Sequence, residues 1–269
     1  MKQCKYVFSI LLLCFGISFS QEPPGAKQIA LSHADISASD DVFSIFNNPA
    51  GMSLINNRQI GFFYSPAPYG VKELSYAYAA YSEPFSFGSL SGGFSIYGYE
   101  LYKETNFAIG FGRMIAPNFY LGLTAAYRNI SIKNYGSKGV LFINAGTIIK
   151  LTNKIGLGIL LENITRSKIS NDSNDIPTVF WFGLDLNLVK DFIFYTAIKK
   201  ELNYNPSLRL GVEYSIIDFL KLRIGAGSDP NNYSSGIGIL YQFLQADYSI
   251  SSHADLGVTH QFGLIIFLK

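Results

Sequence analysis

Four residues near the C-terminal end, Ser251, Ser252, His253 and Asp255, are of the types that make up a nucleophilic catalytic group. In a hydrolase of that kind, the histidine takes the serine proton and the carboxylate orients the imidazole ring. Such a triad is defined by its geometry, and the neighbouring sequence offers no second element such as an oxyanion hole. Polar residues of these types are also the usual composition of a turn. We therefore expect a turn here and a protein that is not an enzyme.

Metal-binding candidates are weak throughout the sequence. Residues 171–175 combine Asn, Asp and Ser, but they lack the twelve-residue spacing of a calcium loop. The adjacent carboxylates of Asp40 and Asp41 precede a short apolar run, which is the usual position of a helix cap. The three histidines are widely separated along the chain. The sequence predicts neither a metal nor a cofactor.

Ionic residues at alternate positions of two neighbouring segments are better candidates for a functional group. Arg209 and Glu213 share one face of an extended strand, and Lys221 and Arg223 share the corresponding face of the next. If that face is interior, these side chains pair with one another or with acidic residues ahead of the first strand. An ion-pair network that fixes the N-terminal segment is one interpretation, and a selectivity patch for a polar or anionic solute is the other. The predicted lumenal charges are Arg128, Glu162, Arg209, Glu213, Lys221 and Arg223, and the predicted acidic residues are Asp35, Asp40 and Asp41.

The elements that must position these residues are short segments in which the character of the side chains alternates. In residues 119–128, Leu121 and Leu123 fall on one face, while Gly122 and Thr124 fall on the other. A period of two residues indicates a β-strand. The second face is mostly Gly, Ala and Ser with a few charges, which is unlike a solvated surface. The pattern predicts a bulky face toward lipid and a small or ionic face toward a lumen, as in transmembrane barrels.

The connections between the segments alternate in length, which supports a barrel independently. Outer-membrane barrels have short periplasmic turns and longer extracellular loops. We expect an all-β, transmembrane antiparallel up-and-down β-barrel of about fourteen strands, although twelve also fit, with both termini on the periplasmic side. The expected strands are 59–64, 73–81, 87–99, 105–114, 119–131, 139–150, 154–163, 177–187, 191–199, 206–215, 219–227, 235–243, 246–252 and 258–268. The expected longer gaps are 65–72, 132–138, 164–176, 200–205 and 228–234.

Composition excludes several classes of protein. Of the 269 residues, 15% are charged, against roughly 25% in an average soluble domain, and 15% are aromatic. The net charge of +2 includes no basic block, so no nucleic-acid partner is expected. After residue 20, no uninterrupted apolar run approaches the roughly 20 residues of a membrane helix. Such a chain is a membrane barrel or a secreted sandwich, and the strand faces favour the barrel.

The first 20 residues are typical of a secretory signal peptide. Lys2 and Lys5 precede an apolar run at 6–19, and small residues surround the expected cleavage after Ser20. Both cysteines lie in this segment, so the processed chain would contain no disulfide. The expected organisation is a signal peptide at 1–20, an N-terminal plug or hatch segment at 21–57 and a transmembrane barrel at 58–269.

The segment at 21–57 does not alternate. Asp40 and Asp41 are placed to cap a short helix over residues 42–46. Pro49 then ends the helix because it lacks a donor, and Gly51 permits a positive φ. The segment is either a periplasmic extension or a plug inside the lumen, and we favour the plug because a lumen lined by small side chains leaves volume to fill. The predicted plug turn is Asn47, Asn48, Pro49, Ala50, Gly51 and Met52.

Three motifs in this region carry a family resemblance. Ala-Lys-Gln-Ile-Ala-Leu at 26–31, Ala-Ser-Asp-Asp-Val-Phe at 38–43 and Asn-Pro-Ala-Gly-Met at 48–52 resemble the start of the FadL-like outer-membrane superfamily. Asp-Leu-Gly-Val-Thr-His-Gln-Phe-Gly-Leu at 255–264 resembles the last strand of its PorV/PorQ-like branch. The resemblance implies a plugged fourteen-stranded barrel that moves hydrophobic molecules or serves type IX protein secretion. The short loops of this chain do not supply the large extracellular cap of the fatty-acid transporters.

Three functions follow as hypotheses. The first is passive transport of hydrophobic or amphipathic small molecules across the bacterial outer membrane, gated by the plug. The second is an accessory or anchoring component of a type IX secretion system, which would have secretion-system proteins as partners. The third is a structural barrel without transport, whose partner is outer-membrane lipid alone.

Overall fold

The computed structural model describes residues 23–169 and 176–268, so the expected signal peptide and the acidic loop at 171–175 lie outside the described residues. Alternating segments become strands because each gives one apolar and one small or polar face. The strands are β1 Arg58–Ser65, β2 Tyr76–Phe85, β3 Gly88–Gly98, β4 Tyr102–Ala116, β5 Phe119–Ile132, β6 Gly136–Thr152, β7 Ile155–Glu162, β8 Val179–Val189, β9 Phe192–Glu201, β10 Ser207–Ile217, β11 Leu220–Gly227, β12 Asn232–Tyr241, β13 Leu244–His253 and β14 Gly257–Leu268.

These fourteen strands form one closed antiparallel barrel. Each strand pairs with its neighbours in sequence, and β1 pairs with β14 to close the ring. At that seam Phe62 lies opposite Leu264. The predicted all-β up-and-down barrel is confirmed, with fourteen strands rather than twelve. In the described part of the chain, no helix is long and apolar enough to cross a membrane.

The connections alternate between two-residue turns and longer segments. Each even-numbered connection has two residues, whereas the odd-numbered ones run from three residues up to the sixteen of 163–178. Asn118 and Asp191, each the second residue of its turn, have φ angles of 63° and 65°, and the strand pairing shifts register beside both turns. The gap expected at 132–138 is shorter than predicted. The pairing of β5 with β6 continues past the expected strand ends to Ile132 and Gly136, so only residues 133–135 remain between the two strands.

The two faces of the barrel wall have opposite character. Leu121, Leu210 and Ile224 are 37%, 38% and 60% exposed on the outer surface. Gly122 and Arg209 are buried on the inner surface. This is the orientation that the alternation predicts, with large apolar side chains outside and small or ionic ones inside.

The N-terminal segment, defined here as residues 23–57, lies inside the ring of strands. It contains one short helix, α1 (Ala26–Ala30), which contacts β11 to β14. Two 3₁₀ helices follow, and the second contacts β3 to β6 on another part of the wall. The expected single helix over 42–46 is therefore only partly correct: the structure has 3₁₀ helices at Val42–Ile45 and Pro49–Leu54.

Gly51 does not use the positive φ that glycine permits, since it is not among the residues with a left-handed backbone. The reason for glycine at this position is space. A Cβ atom on Gly51 would lie 1.6 Å from the carbonyl oxygen of Ser39, far inside any tolerated contact. Gly51 therefore permits close approach of two parts of the N-terminal segment.

Candidate functional site

The inward-facing glycines of the wall make room for the backbone of the N-terminal segment. A Cβ atom on Gly122 of β5 would lie 2.2 Å from the carbonyl carbon of Pro49. A Cβ on Gly158 of β7 would lie 2.6 Å from the carbonyl oxygen of Ile36. The small inner face that the sequence pattern predicts is thus in direct contact with this segment.

Two asparagines tie the predicted plug turn together. Asn48 is fully buried, donates from Nδ2 to the Ile36 carbonyl at 2.8 Å, and accepts at Oδ1 from the Ala50 amide at 3.2 Å. Asn47 is also buried and donates from Nδ2 to the Pro24 carbonyl at 2.9 Å. Because these bonds satisfy buried backbone acceptors far apart in sequence, they fix the shape of the segment. Asn47 and Asn48 therefore join the turn to earlier parts of the N-terminal segment.

The acidic residues of the segment pair mainly within it. Lys27 Nζ lies 2.5 Å from Asp40 Oδ1, with the lysine buried and the aspartate partly exposed. Gln28 Nε2 donates to Asp41 Oδ2 at 2.7 Å. Asp41 also caps the first 3₁₀ helix by accepting from the Phe43 amide at 2.9 Å, as its sequence position predicts. Loss of hydration beside the protein would raise the pKa of Asp40, but the adjacent ammonium group of Lys27 outweighs it and lowers that pKa.

Asp35 is the exception among these acids. Its side chain is buried, and Oδ2 has no hydrogen-bond partner among the described residues. Burial raises the pKa of Asp35 to about 6, because the charged form loses its hydration, while Lys27 and His33 oppose the shift. The carboxyl group of Asp35 is therefore poised to change its charge near neutral pH.

The predicted lumenal charges on β10 and β11 form a buried ion-pair network. Arg223 Nε lies 2.6 Å from Glu213 Oε2, and Lys221 Nζ lies 3.0 Å from Glu213 Oε1. Arg223 Nη1 also lies 2.5 Å from Asp247 Oδ1 on β13. Arg209 is buried on the same inner face of β10. Such a network is consistent with the structural interpretation of these charges, because Glu213, Arg223 and Asp247 each lie beside a group of opposite charge.

Asp247 was not among the lumenal charges predicted from the sequence. The signal was present, since Gln245, Asp247, Ser249 and Ser251 are the polar positions of an alternating segment. The partners expected for the lumenal bases were Glu213 and the acidic residues of the N-terminal segment. Asp247 takes that role because it lies at the inner face of β13, where it is 6% exposed.

A second ionic contact missed from the sequence ties the N-terminal segment to another part of the wall. Lys150 of β6 lies 3.3 Å from Asp185 of β8 through Nζ and Oδ1. The same ammonium group donates to the Ser37 carbonyl at 3.1 Å. The N-terminal segment is thus bonded to the wall at β6 as well as packed against it.

Arg128 and Glu162 belong to a different site from the Arg223 network. Both line a cavity of about 70 Å³ between the wall and the N-terminal segment, at the end of β7 that leads into the connection 163–178. The Arg128 guanidinium lies over the ring of Phe142, 5.5 Å from its centroid. Glu162 Oε1 accepts a 2.7 Å hydrogen bond from Trp181 Nε1. Within the described ranges, no ion pair joins Arg128 or Glu162 to the Arg223 network.

The rest of this cavity is both aromatic and polar. Phe46 of the N-terminal segment packs edge-on against Tyr78 of β2 at 5.1 Å between ring centroids, and both line the cavity. Asn106 of β4 is buried on its polar side. The sequence analysis missed these residues, although Asn106 is the polar position of an alternating strand. The arrangement can hold a small molecule that has an apolar body and a hydrogen-bonding group.

The residues first considered for catalysis form a turn region. The Asp255 amide donates to His253 Nδ1 at 3.2 Å, and Ser252 Oγ donates to the Tyr233 carbonyl at 3.3 Å. The imidazole of His253 lies against the ring of Tyr69. Neither serine is hydrogen-bonded to His253 in these contacts, so the geometry of a triad is not assembled there. Across 23–169 and 176–268, no group of three or more His, Asp or Glu side chains is arranged to hold a metal ion.

Comparison with known proteins places the fold but not the activity. No protein-family model matches the sequence, and no curated protein matches it. The fold is similar to the crystal structure of the toluene transporter TodX of Pseudomonas putida, with a TM-score of 0.67 and 12% identity over 91% of this chain and 96% of that chain. The crystal structure of a FadL homologue of Pseudomonas aeruginosa has a TM-score of 0.61 and 12% identity over 90% of this chain and 97% of that chain. The outer membrane protein Omp33 of Acinetobacter baumannii has a TM-score of 0.54 and 6% identity over 79% of this chain and 98% of that chain.

The chain therefore has the fold of FadL-like outer-membrane barrels, in agreement with the N-terminal motifs. At these identities the likeness concerns the fold alone. The PorV/PorQ-like branch, which the C-terminal motif resembles, stays a prediction.

Proposed function

We propose that the protein is an outer-membrane channel that lets hydrophobic or amphipathic small molecules cross passively, with the N-terminal segment as the plug that gates the lumen. The observation that carries this proposal is the cavity between Phe46 of that segment and Tyr78 and Phe142 of the wall. A partly apolar lumen favours hydrophobic or amphipathic molecules, whereas a water-filled pore favours polar ones. The fold shared with the toluene transporter TodX supports the same class of cargo.

The proposed location is the bacterial outer membrane, with the two-residue turns and both termini on the periplasmic side. Large apolar side chains cover the outer surface of the barrel, which suits a lipid environment. The longer connections would then face the cell exterior, and the cavity beside Glu162 would lie near that mouth.

The plug is held unevenly around the barrel, which suggests how it gates. Lys150 of β6, itself paired with Asp185 of β8, donates to the plug on one part of the wall, and the Arg223 network stiffens the wall beside α1. The cavity lies on the side of β2 and β4 to β7, where the wall and the plug are not fully packed. We place the gating movement at Phe46, which lines the cavity, with the predicted plug turn and the Lys150 contact as its anchor.

The proposal is tested by uptake in cells with an intact outer membrane. The initial rate of entry of radiolabelled toluene is measured with the full chain, with an unrelated closed barrel, and with an uncoupler added. We expect entry several-fold faster with this protein and insensitive to the uncoupler, as passive transport requires. Equal entry with the unrelated barrel would refute transport and favour a structural barrel.

Type IX secretion is the alternative, and it rests on the PorV/PorQ-like C-terminal motif alone. Native purification in mild detergent separates the two. Mass spectrometry should detect small apolar molecules if the protein is a channel. Recovery of secreted proteins or secretion components in stoichiometric amounts would replace the channel with an anchoring role.

A further inference from the structure

Two polar side chains of the cavity are direct cross-strand neighbours. Asn106 of β4 lies opposite Arg128 of β5 in the ladder, and both side chains point inward. Residues opposite one another in an antiparallel pair have Cβ atoms about 5 Å apart, so one small group can reach both side chains. Asn106 and Arg128 therefore present a joint surface to the cavity.

Both side chains carry a buried polar atom without a partner. Asn106 is 7% exposed, and its Oδ1 has no hydrogen-bond partner among the described residues. The same holds for Nε of Arg128, whose guanidinium lies over the ring of Phe142. Buried polar atoms without partners are rare, since their hydration is lost and not replaced. An acceptor and a donor thus lie side by side without partners at a cavity.

The size and the charge of the cavity restrict its occupant. A volume of about 70 Å³ corresponds to roughly five water positions, enough for a single ring or a short chain. Arg128 and Glu162 both line it, so its formal charges balance. An anion would face the Glu162 carboxylate and a cation would face the Arg128 guanidinium. A neutral molecule is favoured, with its apolar part against Phe46, Tyr78 and Phe142.

We propose that this cavity binds small neutral hydroxylated compounds, with phenol as the representative. Arg128 Nε–H donates to the hydroxyl oxygen, and the hydroxyl proton is donated to Asn106 Oδ1. One hydroxyl group therefore satisfies both atoms at once. This inference rests on the proposed function and names the substrate class of the same lumen.

The protein contains its own reporter for this site. Trp181 is the single tryptophan of the sequence, and its Nε1 donates to Glu162 on the cavity wall. A ligand that enters the cavity changes the surroundings of that bond. Emission of Trp181, excited where phenol does not absorb, therefore follows binding without a label.

The experiment titrates the purified full chain in detergent with phenol, toluene and benzoate. Toluene replaces the hydroxyl group by a methyl group of similar size, and benzoate adds a charge. We expect saturable binding of phenol at least about tenfold tighter than that of toluene or benzoate, because only phenol satisfies both polar atoms. Equal binding of phenol and toluene, tighter binding of benzoate, or no saturable binding of phenol would each overturn the proposal.

Variants locate the effect. In the variants Asn106→Leu and Arg128→Met, the affinity for phenol should exceed the affinity for toluene by no more than about twofold. Asn129→Leu and Arg113→Met remove the same groups from neighbouring exposed or half-buried positions outside the cavity lining, and they should keep the preference. If these controls lose it equally, the assignment fails. The wild-type comparison decides the matter even if a cavity variant does not fold.

Toluene uptake in cells tests the proposed function separately. Faster toluene uptake together with no preference for phenol in the titration would support the channel and refute only the proposed binding of hydroxylated compounds. A preference for phenol without any transport would show a binding site in a protein that is not a channel, and the proposed function would then fail.

Discussion

Arg223 reaches Asp247 across an intervening strand: Nη1 lies 2.5 Å from Oδ1, although β12 separates β11 from β13. The contact passes over Gly238 of β12. A Cβ atom at that position would lie 2.4 Å from Asp247 Oδ1 and 2.6 Å from Arg223 Nη1. The ion pair therefore exists because position 238 carries no side chain.

Gly238→Val should separate Arg223 from Asp247 and destabilise the barrel by about 3 kcal/mol, since it leaves a buried charge without its partner. The matched control is Gly92→Val in β3, where an added Cβ meets nothing within 4 Å. The measurement is the urea midpoint in detergent, followed by the heat-dependent gel migration of the folded barrel. Equal midpoints for the two variants would contradict the role of Gly238.

Gly122→Val should displace the N-terminal segment while leaving the wall intact. The new side chain would occupy the space of the Pro49 carbonyl, and that backbone cannot shift without moving the predicted plug turn. We expect single-channel conductance in a planar bilayer to rise several-fold over the wild type. Gly92→Val again serves as the control on the outer face. Unchanged conductance, with the barrel shown to be folded, would mean that the segment does not block the lumen.

Asp35→Asn should change how stability depends on pH. The pKa of about 6 in the folded protein lies above the ordinary 3.8, so folding favours the protonated carboxyl group. The contribution of protonated Asp35 to the free energy of unfolding is fully present below about pH 4. It is lost as the pH rises through about 6, which lowers that free energy by roughly 3 kcal/mol. The asparagine variant should therefore be more stable than the wild type above pH 6 and equal to it at pH 4.

Urea midpoints measured from pH 4 to pH 8 check this prediction. Asp255→Asn, in an exposed connection, is the control and should follow the wild-type curve. Parallel curves for the Asp35 variant and the wild type would show that Asp35 does not titrate in this range.

Topology can be tested by cysteine labelling, because the chain after the expected signal cleavage contains no cysteine. Tyr135 lies in the β5–β6 connection and is 88% exposed, whereas Asn118 lies in the two-residue β4–β5 turn. With an impermeant maleimide, Tyr135→Cys should react in intact cells and Asn118→Cys only after the outer membrane is permeabilised. The reverse pattern would invert the proposed orientation.

The strands and their faces could be predicted because successive side chains of a strand point to opposite faces, so the position of a residue in its strand gives its face. Arg209 and Glu213 were placed inside by that rule alone. The contact between Arg223 and Asp247 could not be found in the same way, since it depends on Gly238 of the strand between them. Arg128 and Glu162 were grouped with Arg223 from their faces, but closure of the ring puts them with β5 and β7 instead. The position of a side chain around the circumference of the barrel depends on the strand register and on the number of strands together.

The burial of residues 23–57 also constrains the order in which the chain can assemble. Contacts of α1 come from β11 to β14, and those of the Pro49–Leu54 helix come from β3 to β6. The segment synthesised first among the described residues thus completes its packing only when the last strands arrive. Formation of the β1–β14 seam and ordering of the interior are therefore coupled steps, and a chain interrupted before β11 would expose α1 to degradation.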